Sequence, residues 1–170
     1  MIIGHLPAGY LYSDFLFKRT TWSRGASRVV FLAAGMAGAL APDLDMLYFY
    51  FADHRRHHHH TYFSHYPSLW AALLLLSVAW HFLAKRKSGG PAAAIVFALN
   101  GLLHMALDTV VGDIWWLAPL ASKPFSFATV PALYHPWWLN FILHWSFLFE
   151  LALVAWAIVA LRLPQPLRCR

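Results

Sequence analysis

The chain has 170 residues, of which 60% are hydrophobic and 12% are charged, against about 45–50% and 25% in ordinary globular domains. This balance predicts a single membrane-embedded, all-α domain over residues 1–170, with a very apolar soluble helical protein as the alternative. The net charge of +6 lies in clusters beside apolar segments, which favours a role in topology over nucleic-acid binding. The single cysteine, Cys169, excludes an internal disulfide and a thiolate metal site.

Residues 1–28 form a mixed, amphipathic segment that ends in four cations. The small-x-small pattern of Ala39-Leu40-Ala41 permits a signal-peptide interpretation. Two features argue against it, because the basic region is too long and Pro42 would directly follow the cleavage site. We therefore expect residues 1–28 to remain in the mature protein, which keeps His5 available.

Four apolar segments, at residues 29–51, 66–83, 92–120 and 138–161, predict about four transmembrane helices. The first is expected to break at Pro42, because proline removes a backbone donor and kinks a helix. The distribution of cations predicts that both termini are cytoplasmic and that the histidine loop, residues 52–65, lies outside. The inner segments would carry Lys18, Arg19, Arg24, Arg28, Lys85, Arg86, Lys87, Arg162, Arg168 and Arg170, and the outer segments Arg55, Arg56 and Lys123.

Several polar residues are expected at a common depth. A helix rises about 1.5 Å per residue, so Asp43 and Asp45 would lie roughly 21–24 Å along the first span. His104 and Asp108 would lie roughly 18–24 Å along the third span, and His144 six residues from the outer end of the fourth. We therefore expect one polar site toward the outer leaflet, beneath the histidine-rich loop.

Asn100, His104 and Asp108 are spaced i, i+4, i+8, which places all three on one face of a helix. An ionisable residue within a span is costly and is a functional candidate. A pair of metal ligands at His104 and Asp108 is the favoured interpretation. A His–Asp pair that satisfies itself and a proton relay are the alternatives.

The segment 41–65 contains three aspartates and six histidines. The run of residues 57–59 is interpreted as a solvated loop that binds metal opportunistically. His60 and His65 are stronger candidates, because the aspartates and the third span can reach them. Asp43 and Asp45 would point to opposite sides of a regular helix, but a break at Pro42 would let both face inward.

Together these donors exceed one tetrahedral shell. They suit two metal ions, or one ion and a general base, with Zn²⁺ favoured and manganese or iron as alternatives. Such a site lowers the pKa of bound water and clamps a phosphoryl or carbonyl oxygen. The candidate base is Asp43 or Asp45, which the sequence does not separate. Ser64, Asn100 and His144 are candidate auxiliary residues.

The order of these motifs resembles a family of bacterial inner-membrane metal-dependent hydrolases. The matching pieces, between residues 4 and 119, are Gly4-His5, Pro42-Asp43-Leu44-Asp45, His60–His65 with Ser64, His104–Asp108, and the Gly112-containing stretch that runs from Thr109 to Pro119. The resemblance implies metal or catalytic positions at His5, Asp43, Asp45, His60, His65, His104 and Asp108. This chain departs from the family pattern at Thr61, Tyr62 and Val110, where the family has a basic residue, a glycine and a proline. These departures bear on the shape of the pocket and leave the ligand set intact.

A fainter similarity is to the zinc-dependent phospholipase C and P1-type nuclease group. Those enzymes use an early His, an Asp, a His and an HxxxD motif around a zinc cluster. They also use a later HxxxE motif, whereas here Leu148 follows His144 at that spacing. The similarity favours phosphoester hydrolysis.

The sequence thus predicts a membrane hydrolase that acts on a small-molecule or lipid phosphoester through metal-activated water. Its expected partners are the lipid bilayer and that substrate, without nucleic acid, and a homo-oligomer remains open. The alternative is a membrane metal-binding or metal-transport protein with a histidine-rich outer loop. Its ion path would add His144 and Glu150 to the polar residues of the third span.

Overall fold

A computed structural model describes residues 1, 3–84 and 89–163, without the side chain of Arg24. Within these residues the regular elements are helices, apart from one isolated bridge between Ile114 and Phe125, so the all-α prediction is confirmed. The α-helices are α1 (His5–Arg19), α2 (Arg28–Leu40), α3 (Asp45–Phe51), α4 (Pro67–Leu83), α5 (Gly89–Asp108), α6 (Trp138–Ile142) and α7 (Ser146–Arg162). The predicted basic loop at Lys85–Lys87 and the tail residues Arg168, Cys169 and Arg170 lie outside the described residues.

Helix α5 lies at the centre of the bundle, with α2 and α4 packed against it and α1 packed on α2. Phe31 of α2 is fully buried against Ala92 and Val96 of α5. The approach of α2 to α5 requires Gly38, because a Cβ atom there would overlap the backbone carbonyl of Phe97. Small residues allow such close packing of helices in membrane proteins.

The predicted break at Pro42 is present. Helix α2 ends at Leu40, a 3-10 turn covers Pro42–Leu44, and α3 leaves at an angle of 53° to α2. The pyrrolidine ring cannot donate the next helical hydrogen bond, which explains why the regular helix stops there. As a result Asp43 lies in a tight turn and Asp45 at the start of the next helix.

Helix α1 is fixed to α2 by a buried carboxylate. Asp14 is 5% exposed, and its oxygens lie 2.6 Å from Lys18 Nζ and 2.8 Å from the Arg28 guanidinium. The Ser27 side chain caps α2 by accepting from the amide of Val30 at 3.2 Å. These contacts hold α1 along the bundle, with His5 in its first turn.

The apolar segments are less continuous than predicted. In the described ranges, α5 alone is long and apolar enough to cross a membrane, and the bent α2–α3 pair makes a second such element if it counts as one span. The third predicted span, 92–120, ends early, because α5 stops at Asp108 and the amide of Gly112 donates back to the Asp108 carbonyl at 2.7 Å. The fourth, 138–161, is interrupted between Ile142 and Ser146.

Candidate metal centre

Four side chains from three parts of the chain converge into what we call the donor cluster: Asp43, His65, His104 and Asp108. One ligand atom from each lies within 4.8 Å of the other three, so the group can hold a metal ion. His104 Nε2 lies 2.9 Å from Asp108 Oδ2 and 3.5 Å from Asp43 Oδ1. His65 Nε2 lies 3.7 Å from Asp43 Oδ1. The structure therefore brings the break after α2, the histidine loop and the end of α5 to one place.

Two further histidines adjoin the donor cluster. His5 Nε2 lies 3.1 Å from Asp108 Oδ1, and its ring stacks on that of His104 with centroids 3.7 Å apart. His60 Nε2 lies 3.6 Å from the other oxygen of Asp108. Asp108 thus contacts imidazoles from three different segments of the chain.

The outward nitrogens of two of these imidazoles are bound to carbonyl oxygens. His104 Nδ1 lies 2.7 Å from the carbonyl oxygen of Ala39, and His60 Nδ1 lies 3.0 Å from that of Asp113. A carbonyl oxygen can only accept, so both Nδ1 atoms carry a proton, and in the neutral form of each ring Nε2 keeps the lone pair. Outer contacts of this kind orient histidine ligands in metal sites.

The inward atoms lack hydrogen-bond partners. This holds for Nε2 of His5, His65 and His104 and for Oδ2 of Asp108, all of which are buried. Their neighbours lie at 2.9–3.9 Å, but they are not aligned as donor and acceptor. Buried polar atoms are normally paired, and leaving one unpaired costs free energy. A divalent cation would satisfy the atoms of His65, His104 and Asp108 at once, so the residues present fit a metal ion.

Asp43 and Asp45 take different positions around His65. Asp43 faces Nε2 of that ring, inside the donor cluster, whereas Asp45 Oδ2 lies 2.6 Å from Nδ1 on the outer side. The same oxygen of Asp45 accepts from the Ser64 hydroxyl at 2.6 Å. Ser64 and Asp45 therefore orient His65 from behind, a distinction that the sequence left open.

Glu150 is a residue whose position sequence reasoning missed. Its side chain is 1% exposed, and Oε2 accepts from the backbone amides of Ile3 at 2.6 Å and Gly4 at 2.9 Å. A carboxylate is favourable at a helix N-terminus, where amides lack intrahelical partners. Glu150 thereby fixes the start of α1 and the position of His5. The available signal was a lone acid within an apolar helix. The amino group of Met1 also contacts the cluster, at 2.5 Å from Asp108 Oδ1.

Two predicted auxiliary residues lie elsewhere. Asn100, one turn before His104, donates to Ser13 Oγ at 3.1 Å and to the Val96 carbonyl at 2.8 Å, so it joins α5 to α1. His144 lies in the interruption between α6 and α7, where Nδ1 is 3.0 Å from the Ser146 hydroxyl and the ring contacts Trp145. The interruption changes the direction that a continuous span would have given to His144.

The consecutive histidines at residues 57–60 do not all have the same role: one belongs to the solvated loop and others lie where they can bind a metal ion. His57 bonds to Asp53 at 2.7 Å in the loop. His59 instead forms a second group that can hold a metal ion, with His60 and His65. Burial lowers the pKa of His60 to about 2 and that of His59 to about 4, so both rings are neutral near pH 7. Neutral imidazole is the form that binds a metal ion.

A cavity of about 430 Å³ opens directly beside the donor cluster, and we call it the polar cavity. Asp43 and Asp108 form its inner wall. His58, His59, His60, Gly112, Asp113, Thr129, Val130 and Trp137 are among its other lining residues. Gly112 allows the turn after α5 to approach the loop, because a Cβ there would lie 2.8 Å from the His60 ring.

Comparison with known proteins gave a match to a protein family. The model of a family described as YdjM inner membrane protein matches residues 1–165. No curated protein and no solved structure matched. The family description agrees with the inner-membrane location expected from the sequence.

The first prediction concerns metal content. Wild-type protein purified after growth with zinc should carry bound divalent metal, and His104→Ala should lower the content about tenfold or more, since it removes a cluster donor. His144→Ala is the matched control, and it should retain the wild-type content because His144 lies outside the donor cluster. The measurement is elemental mass spectrometry per mole of protein. Wild-type content below about a tenth of an equivalent, or equal loss in both variants, would contradict the metal site.

The second prediction concerns Glu150. Glu150→Leu removes the acceptor of the Ile3 and Gly4 amides, so His5 should lose its fixed position and metal affinity should fall about tenfold. Competition with a chromogenic chelator measures that affinity. If Glu150 acts through His5, the double variant Glu150→Leu/His5→Ala should bind no more weakly than His5→Ala alone. Additive losses would show that Glu150 acts by another route.

Proposed function

The chain belongs to the YdjM inner membrane protein family, and on that premise we propose that it is a metal-dependent hydrolase that cleaves a phosphoester at the membrane. The observation that carries the proposal is the set of buried, unpartnered nitrogen and oxygen atoms that face one point. The imidazole-rich donor set favours zinc, with manganese or iron as alternatives, and one or two ions fit the two groups. A divalent ion held there lowers the pKa of water and polarises a phosphoryl oxygen.

We assign the role of general base to Asp43. Its side chain is 35% exposed, while those of His65, His104 and Asp108 are at most 1% exposed, and it borders the polar cavity. If the ion is held by His65, His104 and Asp108, Asp43 at the edge of the cluster borders the open cavity and can take a proton from an attacking water. Asp45 is assigned a positioning role, because its Oδ2 is occupied by His65 and Ser64.

The polar cavity supports a phosphoester as the substrate class. His58 and His59 line it, and burial lowers the pKa of both rings below the ordinary value. Each neutral ring still carries one N–H that can donate to a phosphoryl oxygen. The similarity of the motif order to zinc-dependent phospholipases and nucleases supports the same choice.

The rival function, metal transport, would need polar groups that continue from the donor cluster through the bundle. Two residues of the expected path are engaged in packing instead. Asn100 donates to Ser13 and to the Val96 carbonyl, and Glu150 accepts two amides at the start of α1. We therefore favour hydrolysis over transport.

We further propose that four segments cross the membrane: the bent α2–α3 pair, α4, α5 and α7. Helices α4 and α7 have 17 residues each, the lower end of the usual range for a spanning helix. Large apolar side chains on these elements face outward, with Phe51 at 79%, Leu75 at 70% and Leu83 at 81% exposure. In this arrangement the C-terminus is cytoplasmic and the donor cluster lies toward the outer leaflet. The amino group of Met1 lies at that cluster, so the N-terminus lies on the outer side too, unlike the cytoplasmic N-terminus predicted from the cations.

The third prediction concerns turnover. Protein in lipid nanodiscs should cleave one class among phosphomonoesters, phosphodiesters and phospholipids, and a chelator should abolish this activity. Asp108→Asn should lower kcat/KM by about a thousandfold, since it weakens metal binding, and Asp45→Asn by about ten- to a hundredfold, since it loosens His65. His144→Ala serves as the control and should keep wild-type turnover. Absence of metal-dependent cleavage across the panel, together with metal flux in proteoliposomes, would overturn hydrolysis in favour of transport.

The fourth prediction concerns orientation. Cys169 is the only cysteine, so a membrane-impermeant maleimide should label wild-type protein in spheroplasts only after permeabilisation. The variant Cys169→Ser/Arg56→Cys should be labelled without permeabilisation, because Arg56 lies in the histidine loop. Labelling of both positions from the same side would overturn the proposed topology.

A further inference from the structure

A second cavity, of about 670 Å³, lies between α1, α2 and α7, and we call it the apolar groove. Its walls include Leu6 of α1, Leu32 and Met36 of α2, and Val154 and Ile158 of α7. These side chains offer a continuous hydrocarbon surface. Tyr10, Leu32 and Ala157 pack together as a cluster that joins the three helices.

The apolar groove reaches the donor cluster. His5 and Asp43 line one end of it, and Asp43 also lines the polar cavity. The two cavities therefore meet at one carboxylate of the cluster. This meeting explains why Asp43 keeps 35% exposure while His104 beside it has none.

Helices α2 and α7 agree on the direction of the apolar groove. On α2 its lining residues run from Leu40, next to the break, back to Leu32. On α7 they run from Val154, one turn beyond Glu150, to Leu161. Steps of three or four residues place such side chains on one face of a helix. With a rise of about 1.5 Å per residue, the groove extends roughly 10–12 Å from the cluster.

We propose that the apolar groove binds one hydrocarbon chain of an amphiphilic phosphoester whose phosphate lies at the donor cluster. The inference rests on the proposed function and names the substrate class of that site. An apolar cleft that ends on charged metal ligands matches a molecule with a polar head and an apolar tail. The family is located in a membrane, where hydrocarbon chains are the surrounding solvent, so a lipid chain needs no aqueous path to the groove.

Alkylphosphonates test this proposal without turnover, because their carbon–phosphorus bond is not hydrolysed. Methyl-, butyl-, octyl- and dodecylphosphonate are titrated calorimetrically into metal-loaded protein in nanodiscs, with empty nanodiscs subtracted. Each methylene buried should raise the affinity by up to about fourfold, and the gain should level off once the chain exceeds the groove.

Val154→Trp should fill the apolar groove and lower octylphosphonate affinity about tenfold or more, with retained metal content as the check on folding. The matched control is Val159→Trp, the same change on α7 at a side chain that is 54% exposed and outside the groove lining. The control should keep the wild-type dependence on chain length.

Affinity that does not depend on chain length in the wild type, or equal losses in the two tryptophan variants, would overturn the proposal. Dimerisation that Val154→Trp alone abolishes, with binding independent of chain length, would assign the groove to a second copy of this chain. Chain-dependent binding without cleavage of any substrate would instead support the groove and refute the hydrolase. Cleavage that ignores chain length would support the hydrolase and refute the groove.

Discussion

The structure depends on a group of buried nitrogen and oxygen atoms that face one another in the donor cluster. Nε2 of His65 and His104 and Oδ2 of Asp108 are all buried and lack a hydrogen-bond partner, and a metal ion bound between them would satisfy all three. The outer contacts determine this arrangement. Because the carbonyl of Ala39 and the carboxylate of Asp45 hold the Nδ1 protons of the two rings, Nε2 is left as the inward ligand in each.

These outer contacts follow from the backbone geometry of the bundle. The Ala39 carbonyl reaches His104 because Gly38 lets α2 approach α5 closely. The helix then stops at Pro42, which turns Asp43 toward the cluster instead of continuing around a regular helix. The turn after α5 orients His60 in the same way, because the carbonyl oxygen of Asp113 accepts a hydrogen bond from Nδ1 of that ring. The packing of the helices therefore determines the orientation of the ligands, and a change in the distance between α2 and α5 would also move the histidine rings of the donor cluster.

Local spacing made part of this predictable. The i, i+4 relation of His104 and Asp108 and the break at Pro42 are properties of short segments, and both are present in the structure. Contacts distant in sequence were out of reach: Glu150 meets Gly4 across 146 positions, and no local pattern encodes that pairing. His144 was misplaced for a different reason. Hydropathy predicts one helix over residues 138–161, but the helix is interrupted before Ser146. Counting residues along a continuous span therefore does not give the depth of His144.

The donor residues lie far apart along the chain, so a metal ion bound between them would link metal supply to protein stability. Donors near residues 43, 65 and 104–108 meet only when the bundle is assembled, so an unfolded chain has no equivalent site. A ligand that binds only the folded state stabilises it by an amount that grows with the logarithm of free-ion concentration. For a membrane protein exposed to quality-control proteases, loss of a bound ion would therefore lower the amount of protein.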